Sequence, residues 1–570
     1  MKHLKKYFVL LLCVFCLLTQ TLKSQDKKSK VQFNGDIGLY GDFYSMVSDT
    51  NGAVPPRRPG ATGRLVFNAS LSYKAFSMPI SVSFSEGQTS VVLPHYDRSN
   101  IIRFIKDPTS NNFGIAPKYK WIQAFLGTQV MKYSELSVGD IPIFGAGFAL
   151  TPGKFRFSCF TGASQQAIEE DTAKHIQGVF SHKLYMVKIG YGKEEASHIY
   201  LISTGMAEWT KSLKKRPINT MPQEGWLNSL DYRINLGKEF YMKGEIAASI
   251  FTRNTHSKAV NEDNPVISSI SPIFPILEST HFDYASLFSI AKDCKNFGIK
   301  LNAKYIGDGF VPLGYPYMQT DRMEATINPH CNLYKSKVTL SGSYGRQINN
   351  LSGSRAATTS QAIGNLDANA QITDKFSVAA SFSNCGFRNT ITNDTFRIQN
   401  VSSSWSLSPT YILTTLKNLH AISFSYSQNV FTDYNTVSGA LNANNSLNAL
   451  LSYMISKVKN PFNASVVLSY FNNKISFGLL STQSASLNVG YKFFTKRLSA
   501  TAGLTYAKTE LDSKSAGTQL ATNLGLKYSL YKKINFSLVG TINLFKYGID
   551  RPDISYRENL LRTSITYKIK

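Results

Sequence analysis

The chain has 570 residues, of which only 17% are charged, and its 62 lysines and arginines against 36 aspartates and glutamates give a formal net charge of +26. The basic residues are spread along the chain rather than collected in one block, which argues against a nucleic-acid-binding protein. The length exceeds one ordinary soluble core and predicts either several domains or one very large closed sheet.

The first residues have the pattern of a secretory signal peptide. Three lysines in the first six residues precede an apolar run over 7–18, which is too short for a spanning helix, and the small residue Ser24 precedes Gln25. We therefore expect residues 1–24 to be a signal peptide, 25–30 a short N-terminal segment and 31–570 the folded part.

From residue 31 onwards, apolar and polar residues alternate with a period of two in runs of about 10 residues. The pattern is clearest near the C-terminus, in the runs 498–506, 520–530, 534–544 and 561–569. One apolar face and one polar face at this length are typical of strands that cross a bilayer. The prediction is an all-β protein, a transmembrane antiparallel up-and-down β-barrel.

Short turns recur close to every 40 residues, with two strands and one longer loop between them. Twelve turns predict about 26 strands, with short periplasmic turns, long extracellular loops and both termini in the periplasm. Each turn contains a lysine, which keeps a turn in water and discourages edge pairing. The predicted turns are Tyr73–Ser77, Met131–Ser134, Thr151–Lys154, Gly192–Ser197, Leu236–Phe240, Asp293–Gly298, Tyr334–Lys337, Ile372–Lys375, Leu416–Leu419, Lys457–Asn460, Thr495–Arg497 and Tyr531–Lys533.

A repeat near 40 residues also fits a soluble β-propeller. A propeller blade packs four short strands into that length, whereas each repeat here holds two strands of membrane length. The sequence has no Trp-Asp blade signature either, so we favour the barrel.

Four loops are the longest and least periodic: Gln88–Lys118, Thr210–Gly225, Asn254–His281 and Gly307–Asp321. Long polar loops are also expected at Lys508–Thr518 and Tyr547–Glu558, and two short strands with a tight reversal over Glu135–Gly153. A barrel of this size cannot be filled by its own inward side chains. Closure then requires folded-in loops or a separate protein. The best internal candidates are Gln88–Lys118 and Asn254–His281. We favour Asn254–His281 as the gate, because it carries the apolar residues Ile267, Ile270, Ile273, Phe274 and Leu277.

Four basic residues fall on the polar faces of the last strands. Lys492, Lys527 and Lys568 lie near predicted periplasmic ends, and Arg562 lies further along its strand. Charge of one sign raises the local concentration of its counter-ion, so a mild anion preference is expected. The alternative is that these side chains snorkel to the interface without affecting selectivity.

No specific catalytic, cofactor or metal motif is evident. Ser341–Gly345 has serine where a nucleophile elbow needs glycine, the histidines lack paired metal spacing, and the acidic stretch Asn261–Asp263 reads as a solvated loop. The cysteines at 159, 294, 331 and 385 are widely separated and read as small strand or turn residues. No cofactor and no enzymatic activity are expected.

One stretch resembles a known family. Ser137–Asp140 followed by Phe144–Arg156 is similar to a segment of large outer-membrane β-barrel proteins of Bacteroidota, and its characteristic residues here are Gly139, Asp140, Gly145, Gly147, Pro152 and Gly153. The resemblance implies an outer-membrane location but no particular cargo. The short stretch 25–30 leaves no room for the plug of a TonB-dependent receptor, so we do not expect that architecture.

These observations favour a channel or export conduit with a polar, mildly basic lumen. The alternative is a structural barrel that docks a surface or periplasmic partner through its loops, and an outer-membrane hydrolase is a remote third reading. Expected partners are outer-membrane lipid, lipopolysaccharide and a plug or surface protein, with no nucleic acid. The sequence does not identify a small-molecule cargo.

Overall fold

The computed structural model describes residues 31–48, 54–86, 112–139, 141–215, 217, 220–260, 272, 274–315, 318–458, 461–494, 497–530, 533–548 and 554–569. The expected signal peptide and the segment 25–30 lie outside these residues.

The described chain is built almost entirely from strands. In the first half they are β1 Val31–Ser48, β2 Ala61–Tyr73, β3 Phe76–Glu86, β4 Asn112–Ile115, β5 Lys118–Tyr119, β6 Ile122–Met131, β7 Ile141–Leu150, β8 Phe155–Gln165, β9 Ser181–Gly192, β10 His198–Trp209, β11 Glu224–Leu236, β12 Phe240–Thr252, β13 Thr280–Asp293 and β14 Phe297–Ile306. In the second half they are β15 Arg322–Leu333, β16 Val338–Asn349, β17 Thr359–Gln371, β18 Phe376–Asn389, β19 Gln399–Thr414, β20 Asn418–Asp433, β21 Asn444–Lys457, β22 Phe462–Ile475, β23 Gly478–Phe493, β24 Leu498–Leu511, β25 Lys514–Leu530, β26 Ile534–Tyr547 and β27 Ser555–Ile569.

Helical structure is confined to short pieces of the described loops. They are the α-helix Gly439–Asn442 and the 3-10 turns Thr172–Lys174 and Thr210–Ser212. None of the described helices has the length and apolar character needed to cross a membrane.

Apart from β4 and β5, every strand pairs antiparallel with its sequence neighbours, and β1 also pairs with β27, with Leu39 opposite Ile565. β4 and β5 are two pieces of one barrel strand, because each lies between β3 and β6. The sheet is therefore a closed ring of 26 strands, as the sequence predicts. Closure leaves no unpaired sheet edge, which is the condition for spanning a bilayer with strands.

Strand alternation separates an apolar outer face from an inner face. On β23, Leu487 and Val489 point outward and are exposed, whereas Ser484 and Ser486 point inward and bond to the hydroxyls of Ser469 and Thr505. Aromatic side chains near both ends of the strands, such as Tyr191 and Tyr284, also point outward and are exposed. Aromatic residues at both ends of an apolar band are characteristic of membrane barrels.

Eleven of the twelve predicted short turns lie together at one end of the barrel, which we call the short-turn end. The turn predicted at Met131–Ser134 is wrong, because that connection lies at the opposite, long-loop end, and the missing short turn is at Lys120–Trp121. The error came from Gln88–Lys118, whose last residues form β4 and begin β5 rather than a loop. Residues 88–111 lie outside the described chain.

Two further expectations were wrong. Lys508–Thr518 is not a long loop, because β24 and β25 are joined by only Asp512 and Ser513. Both residues have positive φ, 48° and 65°, and the Asp512 carboxylate accepts a hydrogen bond from the Leu479 N–H at 2.8 Å. Positive φ at both central residues is the conformation of a two-residue hairpin turn, and the Asp512 carboxylate bonds this turn to the neighbouring strand β23. Likewise, Glu135–Gly153 contains one strand, β7, rather than two.

The outward position of Leu487 can be tested against its inward neighbour. A charge at Leu487 should cost roughly 2–4 kcal/mol near mid-membrane, whereas a charge at Asn488 should be tolerated in the lumen. We expect Leu487→Arg to lower the free energy of unfolding in lipid vesicles and Asn488→Arg to leave it nearly unchanged. Equal stability of the two variants would show that the facing is assigned wrongly.

Candidate functional site

One side of the lumen is occupied by chain. The inner segment, residues 132–139 between β6 and β7, has three consecutive residues, Leu136, Ser137 and Val138, that are 0% exposed. Val138 and Tyr133 pack with inward side chains of the wall such as Ile143, Phe160 and Ile202. Burial raises the pKa of the Tyr133 phenol to about 12. The inner segment is thus folded against an apolar cluster on the inner faces of β7–β12, and among its residues only Lys132 and Glu135 are exposed.

A buried carboxylate on the wall holds the inner segment in place. Glu245 on β12 accepts hydrogen bonds from the Ser134 hydroxyl at 2.6 Å and from the Leu136 N–H at 3.2 Å. Nearby, Lys243 and Glu135 form an ion pair at 3.5 Å. A buried charge is tolerated only when it is well bonded. Glu245 therefore fixes both the position and the backbone conformation of the segment.

A second piece of chain covers the inner segment. This covering segment, 307–321 between β14 and β15, forms a parallel bridge from Gly314 to Val138, and the Gly314 N–H donates to the Ser137 carbonyl at 3.1 Å. The Tyr315 hydroxyl donates to the Ser134 carbonyl at 3.0 Å. The two segments therefore hold each other across a sequence distance of more than 170 residues.

Glycine makes this close approach possible. A Cβ at Gly139 would lie 1.6 Å from the Tyr315 hydroxyl oxygen, and one at Gly314 would lie 2.5 Å from the Cα of Val138. These separations are far below van der Waals contact. Any larger residue at either position must move the covering segment away.

Both ends of the covering segment are tied to the wall. The Gly309 N–H donates to Asp283 of β13 at 2.8 Å. Asp321, only 1% exposed, accepts from the Ser352 N–H at 3.0 Å and from its hydroxyl at 3.2 Å. The segment is thus joined to the loops on either side of it.

The opposite wall is polar, and the described segments of the lumen do not cover it. On the inner faces of β18–β24, hydroxyl groups pair across neighbouring strands at 2.6–3.0 Å; the pairs include Ser381–Ser406, Ser383–Ser404, Ser408–Ser425, Ser423–Ser452, Ser469–Ser484 and Ser486–Thr505. The middle of the inner face from β18 to β26 has no charged side chain among the described residues. One sector of the lumen is therefore filled by chain around an apolar cluster that also encloses polar groups such as Glu245 and Ser249, and the other is lined by neutral hydroxyls and amides.

The four predicted lumen residues lie on the inner face. Lys492, Lys527 and Lys568 are at the short-turn end, as the alternation of their strands requires. Arg562 lies mid-strand, with its Nε 3.8 Å from an Asp42 carboxylate oxygen. Lys568 lies opposite Asp36 in the strand register. Lys492 and Lys527, on β23 and β25, flank Ser499 at the same level of the wall.

The predicted gate is described only in part. Ile267, Ile270 and Ile273 lie outside the described residues, Phe274 is buried, and Leu277 forms a bridge with Ala259. The gating role of this loop stays a prediction. Among the described residues, chain enters the lumen at 132–139 and at 307–321.

Sequence reasoning missed Glu245 and the inner segment, although a signal was present. The runs 184–187 and 199–202 are apolar on both strand faces. Strands that are buried on both faces read as continuous apolar runs rather than alternating ones. This pattern marks the part of the wall against which chain is packed.

The residues that carry the Bacteroidota-like motif fall in three places. Gly139 lies against Tyr315, and Asp140 lies outside the described residues. Gly145 and Gly147 lie on β7, where a Cβ would meet carbonyl oxygens of β8 at 1.9 and 2.3 Å. Pro152 and Gly153, the latter with φ +59°, form the short turn to β8. The motif thus contains part of the inner segment and the tightly packed strands beside it.

No described group of three or more His, Cys, Asp or Glu side chains is arranged to hold a metal ion. No family model and no curated protein matches the chain. Among solved structures, it is similar to the translocation pore of the P pilus usher PapC (8% identity, TM-score 0.36, 94% of this chain and 100% of that chain). It is also similar to Acinetobacter baumannii OccAB4 (11%, 0.29, 69% and 99%) and to Pseudomonas aeruginosa OprD (9%, 0.31, 68% and 95%).

The packing at Gly139 predicts that a larger residue releases the inner segment. Gly139→Val should displace Tyr315 and expose position 138. A Val138→Cys reporter should therefore react with a maleimide in the protein that also carries Gly139→Val, and not in the protein that carries Val138→Cys alone. Gly63→Val is the matched control, because no atom lies within 4 Å of a Cβ there. Equal labelling of the reporter in the control and in Gly139→Val would contradict the proposed packing.

Proposed function

We propose that this protein is an outer-membrane channel in which polar solute passes between the hydroxyl-lined wall and the inner and covering segments. The observation that carries the proposal is the division of the lumen into one sector that the inner and covering segments fill and one neutral polar sector that the described segments leave uncovered. A wall of small hydroxyl and amide groups can exchange hydrogen bonds with a passing solute without holding it by charge.

The width of the barrel explains why two segments inside it are needed. Twenty-six strands spaced by about 4.8 Å and tilted by about 40° have a perimeter of about 160 Å, equal to a circle about 50 Å across. An unobstructed opening of that width would not retain periplasmic solutes. The inner and covering segments narrow it from one side and leave the hydroxyl wall free.

We place the protein in the outer membrane with the short-turn end in the periplasm. The apolar outer face, the closed sheet and the unequal lengths of the connections at the two ends support this placement. Both the start of β1 and the end of β27 lie at the short-turn end, so both termini are then periplasmic. We assign the protein no enzymatic activity.

Conductance tests the role of the inner segment. Purified protein in planar bilayers should form stable channels, and Glu245→Leu should raise the single-channel conductance or its fluctuations, because Ser134 and Leu136 lose their common acceptor. Glu245→Gln keeps one carbonyl acceptor and should have a smaller effect. A wild-type protein that inserts fully without conducting would refute the channel and favour an anchoring barrel.

Selectivity should depend on the two lysines that have no acidic residue opposite them. Lys492 and Lys527 face the lumen, whereas Arg562 is paired with Asp42. We therefore expect a weak anion preference, measured as a reversal potential in a salt gradient. The double variant Lys492→Gln/Lys527→Gln should move that reversal potential towards zero. Lys546→Gln, on the outer face, should change nothing. A cation-selective wild-type channel would contradict this assignment.

A further inference from the structure

Basic residues recur around the whole short-turn end. Each of the twelve short connections contains or directly follows a lysine or arginine in the described chain; these residues are Lys74, Lys120, Lys154, Lys193, Lys238, Lys295, Lys335, Lys337, Lys375, Lys417, Lys457, Arg497 and Lys533. We call this set the basic rim. Solubility of the turns would require only polar residues, so the repeated choice of a cation needs a further reason.

The backbone conformation at three of these turns disfavours lysine. Lys74, Lys120 and Lys335 have φ values of 50°, 51° and 59°. This left-handed region favours glycine, asparagine or aspartate in tight hairpins. Residues kept in a costly conformation point to a role for the side chain itself. At these turns the side chain supplies a positive charge.

Four of the rim lysines lie on the membrane side of the wall. The Nζ atoms of Lys74, Lys120, Lys154 and Lys457 lie over the rings of Tyr73, Tyr119, Tyr191 and Phe462, 5.4–5.8 Å from the ring centroids. All four rings are on the outer face at the short-turn end, and the three tyrosines are exposed. Such rings sit at the level of the lipid headgroups. The ammonium groups are therefore held at the perimeter and not over the lumen.

Acidic residues do not neutralise most of the rim. In the short connections from β15 to β26, and in those after β2, β5 and β7, Asp374 is the one acidic residue among the described positions. The remaining acids, Glu194, Glu195, Glu239 and the strand-end Asp293, are confined to the turns between β9 and β14. Positive charge thus extends around most of the circumference.

We propose that the basic rim binds the anionic headgroups of phospholipids in the adjacent leaflet. Lipid surrounds the entire perimeter, as the rim does, and its phosphates lie at the depth of the aromatic rings. An acidic protein docking beneath the pore would instead need a local patch directed at the lumen mouth. Lysine near an anionic membrane surface favours association by a factor on the order of five per residue engaged.

The test compares two triple variants of equal charge. The rim variant carries Lys74→Gln, Lys120→Gln and Lys457→Gln. The control carries Lys474→Gln, Lys508→Gln and Lys546→Gln, which are exposed lysines of the outer face at the long-loop end. Each protein is reconstituted in phosphatidylcholine vesicles containing a minor fraction of spin-labelled phosphatidylglycerol or spin-labelled phosphatidylcholine. The relative association constant of the two probes with the protein boundary is then measured.

We expect the wild type and the control to prefer phosphatidylglycerol several-fold, and the rim variant to lose most of that preference while still folding, as judged by circular dichroism. Inorganic phosphate at constant ionic strength should leave the preference unchanged, because the ligand is a lipid. Absence of a preference in the wild type, an equal loss in the control, or displacement by inorganic phosphate would overturn the proposal. Loss of binding to an acidic protein with lipid preference intact would do the same.

Discussion

The structure depends on the pairing of its first and last strands. In the hydrocarbon of a bilayer an unpaired backbone N–H or carbonyl costs several kcal/mol, so a sheet can span only if it has no free edge. The register of β1 on β27 runs from Gly35 opposite Ile569 to Ser48 opposite Tyr556. The alternation of inward and outward side chains is continuous across this seam, which places the outer apolar band in lipid all round the ring.

A closed ring of 26 strands encloses a lumen that side chains of the wall cannot fill. The two sides of this lumen differ in what lies against the wall. Where β7–β12 carry apolar side chains such as Phe160, Leu184 and Ile202 on their inner faces, Val138 and the covering segment pack against them. Where the inner faces carry serine and threonine, hydroxyls pair with each other across strands. The same strand period thus produces a packed interior on one side and a wetted surface on the other, which is the physical basis of the proposed conduit.

The fold could be predicted from the sequence because period-two alternation and short turns are local signals. The inner segment could not, since Leu136 and Val138 lie in a connection whose neighbours in space, Glu245 and Gly314, are far away in sequence. The turn predicted at Met131–Ser134 is wrong because its lysine and polar residues resemble those of a short turn, and because β4 and the start of β5 lie inside the predicted loop Gln88–Lys118. The connection at Asp512–Ser513 was misread because Lys508–Leu511 is polar enough to resemble a loop, although it continues β24. Of the candidate site, strand alternation correctly gave which face Lys492 and Lys527 occupy, but the partner of Arg562 required the β1–β27 register.

Disulfide trapping at the seam tests the closed barrel most directly. In a background without the native cysteines, Leu39→Cys and Ile565→Cys are placed opposite each other by the register, whereas Leu39→Cys and Leu561→Cys are offset by four residues. The account predicts that oxidation in membranes links the first pair efficiently, detected as a changed electrophoretic mobility that a reductant reverses, and that it leaves the second pair free. Efficient linkage of the offset pair, or of neither pair in a folded barrel, would contradict closure by β1 and β27 in this register.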